Sequence, residues 1–246
     1  MRGSPPSVEE EHPLEYRCRN AGLYCSGPES LLNKSDNIRR SIYEFYNEAS
    51  SWDNERRVKR AKIIAEKMSK AVPIESHYNA LEFGCGTGLI SFNLYDKFEN
   101  ITLVDTSMGM IDILNQKIKN SGVKNMTALH VDINKHTPTI GKFDVIYTSM
   151  ALHHIKDTET TLRNLFALLN NGGYLIIVEL TEDDGTFHKL EKDFDGHNGF
   201  NQDYLRNLLS NIGFQDVVSN VFYNGENVID GEMIKYSLFL MVGKKP

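Results

Sequence analysis

The sequence is poor in the residues and runs that mark several large classes of protein. Its 246 residues include only three cysteines, Cys18, Cys25 and Cys85, and no two of them stand at CxxC spacing. Three cysteines cannot all pair, so neither a disulfide framework nor a zinc site is indicated, and a reducing cytoplasm is the predicted location. No apolar run approaches the roughly 18 residues of a membrane-spanning helix, so a soluble protein without a membrane partner is expected.

The sequence also lacks an excess of positive charge. Its 27 lysines and arginines stand against 33 aspartates and glutamates, which gives a formal net charge of −6 at pH 7. Such a chain presents no broad attractive field to phosphate backbones, so nucleic acid is not an expected partner. The hydrophobic share of 40% and charged share of 24% are typical of a globular protein. The pattern gives no indication of oligomeric state.

The first part of the chain shows no periodicity that would indicate a folded element. Met1-Arg2-Gly3-Ser4 resembles the start of an expression-vector leader, and the residues to about 30 are rich in Pro, Glu, Gly and Arg. We therefore predict a leader or poorly ordered segment over 1–34, followed by a single domain over 35–246. Two helices within 35–71 are predicted to precede the sheet and to cover the site.

After Pro73, short β-rich runs alternate with amphipathic stretches. This alternation predicts an α/β, doubly wound, Rossmann-like fold with a mostly parallel seven-stranded sheet, helices on both faces and a C-terminal antiparallel hairpin. The hairpin strands would be joined around Asn224-Gly225-Glu226. The predicted strands are 79–83, 101–104, 126–131, 143–148, 174–179, 214–222 and 236–242. The predicted helices of this part are 89–98, 109–119, 158–169 and 202–212.

The first predicted strand ends in a glycine-rich loop, Gly84-Cys85-Gly86-Thr87-Gly88, and a helix is predicted to follow at once. Glycines allow a tight turn and a close approach of the backbone to a ligand, which is nucleotide-binding geometry; the alternative is an ordinary strand-to-helix turn. The spacing is GxGxG, whereas a dinucleotide dehydrogenase carries GxGxxG. A nicotinamide-dependent oxidoreductase is therefore the less favoured alternative.

With Glu82 placed before it, the loop resembles motif I of the class I S-adenosylmethionine-dependent methyltransferases. The resemblance implies that Glu82 supports the loop and the methionine end of the cofactor. It also implies that Gly84, Cys85, Gly86 and Gly88 lie beside the methionine portion and the ribose.

Further cofactor contacts are predicted from the ends of the next two strands. Asp105, followed by Thr106, stands beyond the second strand, where a carboxylate can accept from both ribose hydroxyls; helix capping is its alternative role. Met110 would lie against the adenine or in the core. Asp132-Ile133 resembles the family's adenine-binding segment, although Asp132 could instead form an Asx turn before Asn134.

The fourth strand and its continuation, Phe143 to Ile155, resemble the FDxVxxxxALHH segment of ubiquinone/menaquinone-biosynthesis-type small-molecule methyltransferases. Thr148 and Ser149 should face the cofactor. Adjacent His153 and His154 cannot both point the same way, so at most one would face a substrate as a catalytic base, and the alternative is a buttressing role. No metal is predicted, because these histidines lack a recognisable ligand spacing.

Two flanking segments complete the candidate site. Residues 46–53 resemble the family segment that folds over the cofactor, which makes Tyr46 and Trp52 cofactor-binding candidates. Residues 181–200 are acidic and aromatic and would form either a substrate lid or a solvated loop. The combined prediction is transfer of a methyl group from S-adenosylmethionine to O, N, C or S of a small molecule, leaving S-adenosylhomocysteine. A non-catalytic S-adenosylmethionine-binding protein that acts through a protein partner is the main alternative.

Overall fold

A computed structural model describes residues 52–135, 140–191 and 194–246 of the chain. Segment 1–34, Tyr46 and the first of the two predicted N-terminal helices lie outside the described residues. The helices are α1 (Glu55–Ser69), α2 (Met108–Ser121), α3 (Thr158–Leu168) and α4 (Gln202–Ile212). The strands are β1 (Asn79–Phe83), β2 (Asn100–Asp105), β3 (Met126–His130), β4 (Phe143–Ser149), β5 (Leu169–Leu180), β6 (Gln215–Ile229) and β7 (Glu232–Lys244).

The seven strands form one sheet in the order β3-β2-β1-β4-β5-β7-β6. The first five are parallel, and β7 runs antiparallel to both β5 and β6. The strand order reverses between β1 and β4, and ligands of such sheets bind at the carboxyl ends of the strands beside this reversal. The predicted doubly wound fold with a C-terminal antiparallel hairpin is confirmed.

Alternate residues of the central strands supply two apolar cores, one on each face of the sheet. Ala80 and Val145 point to the face covered by α1 and α2, whereas Leu81 and Ile146 point to the face covered by α3 and α4. All four are fully buried. A strand that is buried on both faces reads as a continuous apolar run, which is why these strands were recognisable in the sequence.

The predicted helix over 89–98 is wrong, because this segment forms two short 3₁₀ turns, Ser91–Asn93 and Tyr95–Lys97. The Asn93 amide donates to the Leu89 carbonyl at 2.8 Å, and such a local side-chain bond competes with the helical backbone bonds. Leu94, between the turns, has φ −124°, outside the helical range.

The predicted position of the hairpin turn is also wrong. Asn224–Glu226 lies within β6, with Gly225 paired to Tyr236, and the chain turns at Asp230-Gly231. Both turn residues have positive φ, 54° and 77°. Asp-Gly suits such a two-residue turn, and both hairpin strands are consequently longer than predicted.

None of the helices within the described residues is long and apolar enough to cross a bilayer.

Candidate active site

A cleft of about 540 Å³, part of which is open to solvent, lies at the carboxyl ends of β1 and β4, against α1. It brings together six of the predicted site residues, namely Trp52, Glu82, Gly84, Cys85, Gly86 and Ser149. Its lining also includes Arg57, Arg60, Thr87 and Met150, whose roles the sequence reasoning missed. The cleft lies where the reversal of strand order places ligand sites in this fold.

The three loop glycines serve different purposes, although all of them have positive φ, at 68°, 52° and 78°. A Cβ on Gly84 would overlap the Cβ of Ala151, and one on Gly88 would lie 2.6 Å from a methyl carbon of Leu114. These two glycines therefore permit close packing. At Gly86 an added Cβ would have only Trp52 Nε1 near it, at 3.8 Å, an ordinary van der Waals contact, and Gly86 and Trp52 both line the cleft.

Asp105 fixes the conformation of the loop from the end of β2. Its Oδ2 accepts from the Gly86 N–H and its Oδ1 from the Ser107 N–H, both at 2.8 Å. Burial raises the pKa of this carboxyl above its usual value. Each oxygen retains acceptor capacity beyond the backbone bond, so Asp105 can also bind hydroxyl groups of a ligand.

Of the two other cofactor-binding residues predicted near Asp105, one lies at the surface and one in the core. Thr106 is exposed, and its carbonyl contacts the His130 ring at 2.9 Å. Met110 is buried, and its N–H donates to Ser107 Oγ, the N-cap of α2. The capping role weighed for Asp105 is therefore performed by Ser107.

Glu82 lies buried at the base of the cleft. Its carboxyl accepts from Ser91 Oγ, which lies 2.6 Å from the Tyr147 hydroxyl. Burial raises the pKa of Glu82 to about 8. The unliganded protein therefore holds this carboxyl mostly protonated at neutral pH. Cys85, its neighbour in the loop, is buried with a thiol pKa raised well above its usual value, so it is not a reactive thiolate.

The segment before α1 is tied to the glycine loop through Lys117 of α2 and Thr87 of the loop. Lys117 Nζ lies 2.7 Å from Asp53 Oδ2 and donates to the Thr87 carbonyl at 2.7 Å. Thr87 Oγ1 donates to Asp53 as well. The guanidinium carbon of Arg57 lies over the ring of the adjacent Trp52, 3.8 Å from the ring centroid. This arrangement holds the only tryptophan of the sequence beside Gly86 of the loop.

The chain after β4 forms the opposite wall. Met150, which lines the cleft, has φ 54°, an uncommon conformation for a residue with a side chain. Its N–H donates to the Val178 carbonyl at 2.9 Å, which holds it in place. Ser149 also lines the cleft, whereas Thr148 is fully buried and its hydroxyl has no hydrogen-bond partner among the residues described.

Glu179, at the end of β5, anchors this wall and was missed by the sequence reasoning. Its Oε1 accepts from the N–H groups of Ala151 and Leu152 at 2.8 and 2.7 Å. Its Oε2 lies 2.7 Å from Nδ1 of His153. Both side chains are buried. The signal available in the sequence was an acidic residue within the apolar run of β5. Such a run predicts a buried strand, and a buried carboxylate needs several donors.

Replacing Glu179 with glutamine is expected to lower the free energy of unfolding by about 2 kcal/mol, because the amide cannot reproduce the charge-assisted bond to His153. Urea titration measures the change. Glu159→Gln is the matched control, since this exposed glutamate pairs only with Arg163 on α3 among the described residues, and a change within about 0.5 kcal/mol is expected. Equal losses in the two variants would contradict the anchoring role.

Another histidine, His188, packs against this wall from the segment 181–200, for which a substrate lid and a solvated loop are the two expectations. Its ring stacks on Phe194 with centroids 3.9 Å apart and lies 5.0 Å from His153. Both ring nitrogens are buried without a hydrogen-bond partner among the residues described. The segment is held down by the His197 N–H, which donates to the His153 carbonyl at 2.7 Å. His154 contacts Phe194 and is half-buried, and burial holds the pKa of His154 well below its usual value.

Burial lowers the pKa of His188 from 6.5 to about 4. The unfolded chain therefore binds a proton at this residue in a range where the folded protein does not, and stability falls as the pH drops from 6.5 toward 4. We expect His188→Phe, which keeps a ring against Phe194, to make this decline less steep. Urea unfolding at a series of pH values measures it; parallel declines in variant and parent would contradict the assignment.

Asp132 and Ile133 lie away from the cleft, and Tyr46 lies outside the described residues. Asp132 accepts from the Asn134 N–H at 3.0 Å, which is the Asx turn weighed for it, and pairs with Lys135. Ile133 is buried in the core beneath α3. Their adenine contacts stay predictions, as does the role of Tyr46. Within the described ranges, no group of three or more His, Cys, Asp or Glu side chains is arranged to hold a metal ion.

Comparison with known proteins finds methyltransferases, the class that the glycine loop resembles. The methyltransferase domain family matches residues 53–219. An uncharacterized methyltransferase of Schizosaccharomyces pombe is 32% identical over 156 residues, which cover 58% of this chain and 55% of the relative. A malonyl-[acyl-carrier protein] O-methyltransferase of Ilyobacter polytropus is 30% identical over 138 residues, covering 55% of this chain and 50% of the relative. The chain thus spans about half the length of these curated relatives.

A solved structure has the same fold. The N-methyltransferase NodS of Bradyrhizobium japonicum, in complex with S-adenosyl-L-homocysteine, gives a TM-score of 0.58 at 18% identity and covers 86% of this chain and 100% of that one. The family match covers more than half of the chain and includes the glycine loop, Asp105 and the wall after β4. The chain belongs to the methyltransferase domain family, among the class I S-adenosylmethionine-dependent methyltransferases that its glycine loop resembles.

Proposed function

We propose that this protein binds S-adenosylmethionine in the cleft at β1 and β4 and transfers the methyl group to a small-molecule acceptor. The observation that carries the proposal is the glycine loop at the cleft, where Gly86 faces Trp52, Asp105 holds the loop from one side and Glu82 lies at the base. A cytoplasmic location and an acceptor other than nucleic acid belong to the same proposal, on the composition of the chain.

The residues of the cleft fit the chemical groups of the cofactor. Asp105 would accept from the ribose hydroxyls with the lone pairs that its backbone bonds leave available. Arg57, held over Trp52, would bind the carboxylate of the methionine portion, because guanidinium and carboxylate match in charge and shape. Glu82 would face the positively charged groups of the cofactor. When bound, S-adenosylmethionine supplies a methyl group already activated by a sulfonium, so the protein mainly aligns the acceptor and excludes water.

His153 is the proposed proton acceptor for a hydroxyl or amine nucleophile. Its Nδ1–H donates to Glu179, which fixes the ring and leaves Nε2 to accept a proton. His154, held neutral by burial, is the second candidate. His153→Asn should lower the turnover rate of such an acceptor by roughly two to four powers of ten while cofactor affinity stays within about twofold.

The proposal is tested by incubating the protein with S-adenosylmethionine and a panel of phenols, quinols, amines, thiols and carboxylic acids, and measuring S-adenosylhomocysteine by mass spectrometry. An acceptor-dependent product that carries one added methyl group is expected. Tight cofactor binding without any acceptor-dependent product across a broad panel would instead favour the non-catalytic binding protein. Oxidation of a reduced nicotinamide would favour the oxidoreductase.

The raised pKa of Glu82 predicts that cofactor binding releases a proton. A cation placed beside this carboxyl favours its ionised form, so the ligand binds the deprotonated protein more tightly. Affinity for S-adenosylmethionine should therefore rise with pH up to about 8 and then level off. Calorimetry in buffers of different ionisation enthalpy measures the released proton. Glu82→Gln should remove the release; an unchanged release in this variant would assign it to another group.

A further inference from the structure

We propose that Arg60, together with Arg56 and the hydroxyls of Tyr223 and Tyr236, forms a binding site for an anionic group, a carboxylate or a phosphate, on the acceptor substrate. This inference rests on the proposed function, because it assigns the substrate class of the same cleft.

Arg60 links the cleft to the two tyrosines of the C-terminal hairpin. Its side chain lines the cleft, one helical turn beyond Arg57 on α1. Its Nη1 donates to the Tyr236 hydroxyl at 3.2 Å, and its guanidinium carbon lies 5.9 Å from the Tyr236 ring centroid. A hydroxyl accepts this bond, so the positive charge of Arg60 is oriented without being neutralised.

The positive charge at this end of the cleft has no protein counterion among the residues that the structure describes. Neither Arg56 nor Arg60 forms an ion pair there, whereas Lys59 of α1 pairs with Glu55 and Arg163 of α3 pairs with Glu159. Arg56 carries a buried guanidinium nitrogen, Nη1, with no hydrogen-bond partner in the same residues. A buried, unpaired donor of a charged group is costly unless a ligand satisfies it.

A glycine in the C-terminal hairpin makes room for the rings of the two tyrosines. A Cβ on Gly225 would lie 2.5 Å from Cζ of Tyr236 and 2.6 Å from Cε1 of Tyr223, so only glycine leaves room for both rings here. Burial raises the pKa of the Tyr223 hydroxyl, and the positive charges of Arg60 and Arg56 oppose this rise. Two guanidiniums and two hydroxyls offer donors on several sides of one anion.

A row of ring contacts connects Tyr236 to the proposed base, His153. Tyr236 contacts Phe187 with ring centroids 5.1 Å apart, and Phe187 contacts His188 at 5.0 Å. His188 in turn lies 5.0 Å from His153. An acceptor bound along this aromatic wall would have its anionic group at Arg60 and its nucleophile toward the cofactor and His153. The planar guanidinium of arginine suits bidentate binding of a carboxylate or phosphate and discriminates against neutral or cationic groups.

The test compares benzoate with benzamide, which have nearly the same shape and differ in charge. Both are titrated into protein saturated with S-adenosylhomocysteine, so that the carboxylate of the cofactor product is already bound, and calorimetry or Trp52 fluorescence reports binding. We expect benzoate to bind at least about tenfold more tightly than benzamide, because a charge-assisted bidentate bond is present for only one of them. Competition by inorganic phosphate or by acetate then shows which anion the site prefers.

Arg60→Gln is expected to abolish the preference for benzoate, and Tyr236→Phe to reduce it. Arg163→Gln, which removes an exposed arginine of α3 paired with Glu159, is the matched control and should retain it. Equal affinities of the parent protein for the two probes, or an unchanged preference in Arg60→Gln, would overturn the inference. A loss of S-adenosylhomocysteine affinity in Arg60→Gln as large as the loss for benzoate would assign this guanidinium to the cofactor and overturn it too. Absence of S-adenosylhomocysteine binding by the parent protein would overturn the proposed function itself.

Discussion

Replacing Gly84 with alanine is expected to abolish binding of S-adenosylmethionine and to destabilise the fold by about 2 to 5 kcal/mol, the sum of backbone strain and overpacking. Gly84 has φ 68°, and an added Cβ would overlap the Cβ of Ala151. Neither atom can move without its backbone, because the Gly84 N–H donates to Val104 at 2.9 Å and the Ala151 N–H to Glu179 at 2.8 Å. The clash must therefore displace the glycine loop or the wall after β4.

Gly122→Ala is the matched control for this variant. Gly122 ends α2 with φ 75°, and nothing lies within 4 Å of its added Cβ. This variant should show only the backbone strain, about 1 to 2 kcal/mol, with unchanged cofactor affinity. Urea unfolding and calorimetric titration measure the two quantities. If both variants lost the same stability and bound the cofactor equally, the close approach of the two loops would have no functional role.

Replacing Asp105 with alanine is expected to weaken binding of S-adenosylmethionine and S-adenosylhomocysteine by at least about 100-fold. The variant loses the proposed ribose acceptor, and it leaves the N–H groups of Gly86 and Ser107 without their acceptor. A lost hydrogen bond to a charged group costs about 1.5 to 3 kcal/mol, and two such bonds to the ribose account for the predicted change.

Asp105→Asn separates the two roles of this carboxylate. The asparagine can accept from one of the two N–H groups, but its amide nitrogen would face the other, so most of the loss should persist. Asp96→Ala removes an exposed carboxylate paired with Lys97 and should leave the affinity unchanged. Wild-type affinity in Asp105→Ala would refute the ribose assignment and leave Asp105 only its contact with the loop.

Much of the fold followed from the sequence because its signals are local. The strands around Leu81 and Ile146 are continuous apolar runs, and Asp157 and Asn201 stand directly before the helices that they cap. The errors arose where competing local signals were missed. The Asn93 amide bond to Leu89 favours 3₁₀ turns over a helix, and Asp230-Gly231 was overlooked in favour of the polar segment at Asn224.

The site was predictable only for residues within a recognisable motif. The loop from Glu82 to Gly88 carries its own spacing, and Ser149 and Trp52 lie in segments with a family pattern. Glu179, Arg60 and Tyr236 have no such spacing, because their contacts join residues 26 to 176 positions apart. The strained backbone of Met150 was likewise hidden, since its φ follows from the bond to Val178 on the neighbouring strand.

The most direct test of the account is titration of the purified protein with S-adenosylmethionine and S-adenosylhomocysteine, followed by the fluorescence of Trp52, the sole tryptophan of the chain. Its ring lies beside the Arg57 guanidinium and lines the cleft, so a ligand that enters must change its surroundings. We predict saturable binding of both ligands in the micromolar range and no response to a reduced nicotinamide. Binding of neither ligand, or tighter binding of the nicotinamide, would contradict the assignment of this cleft to S-adenosylmethionine.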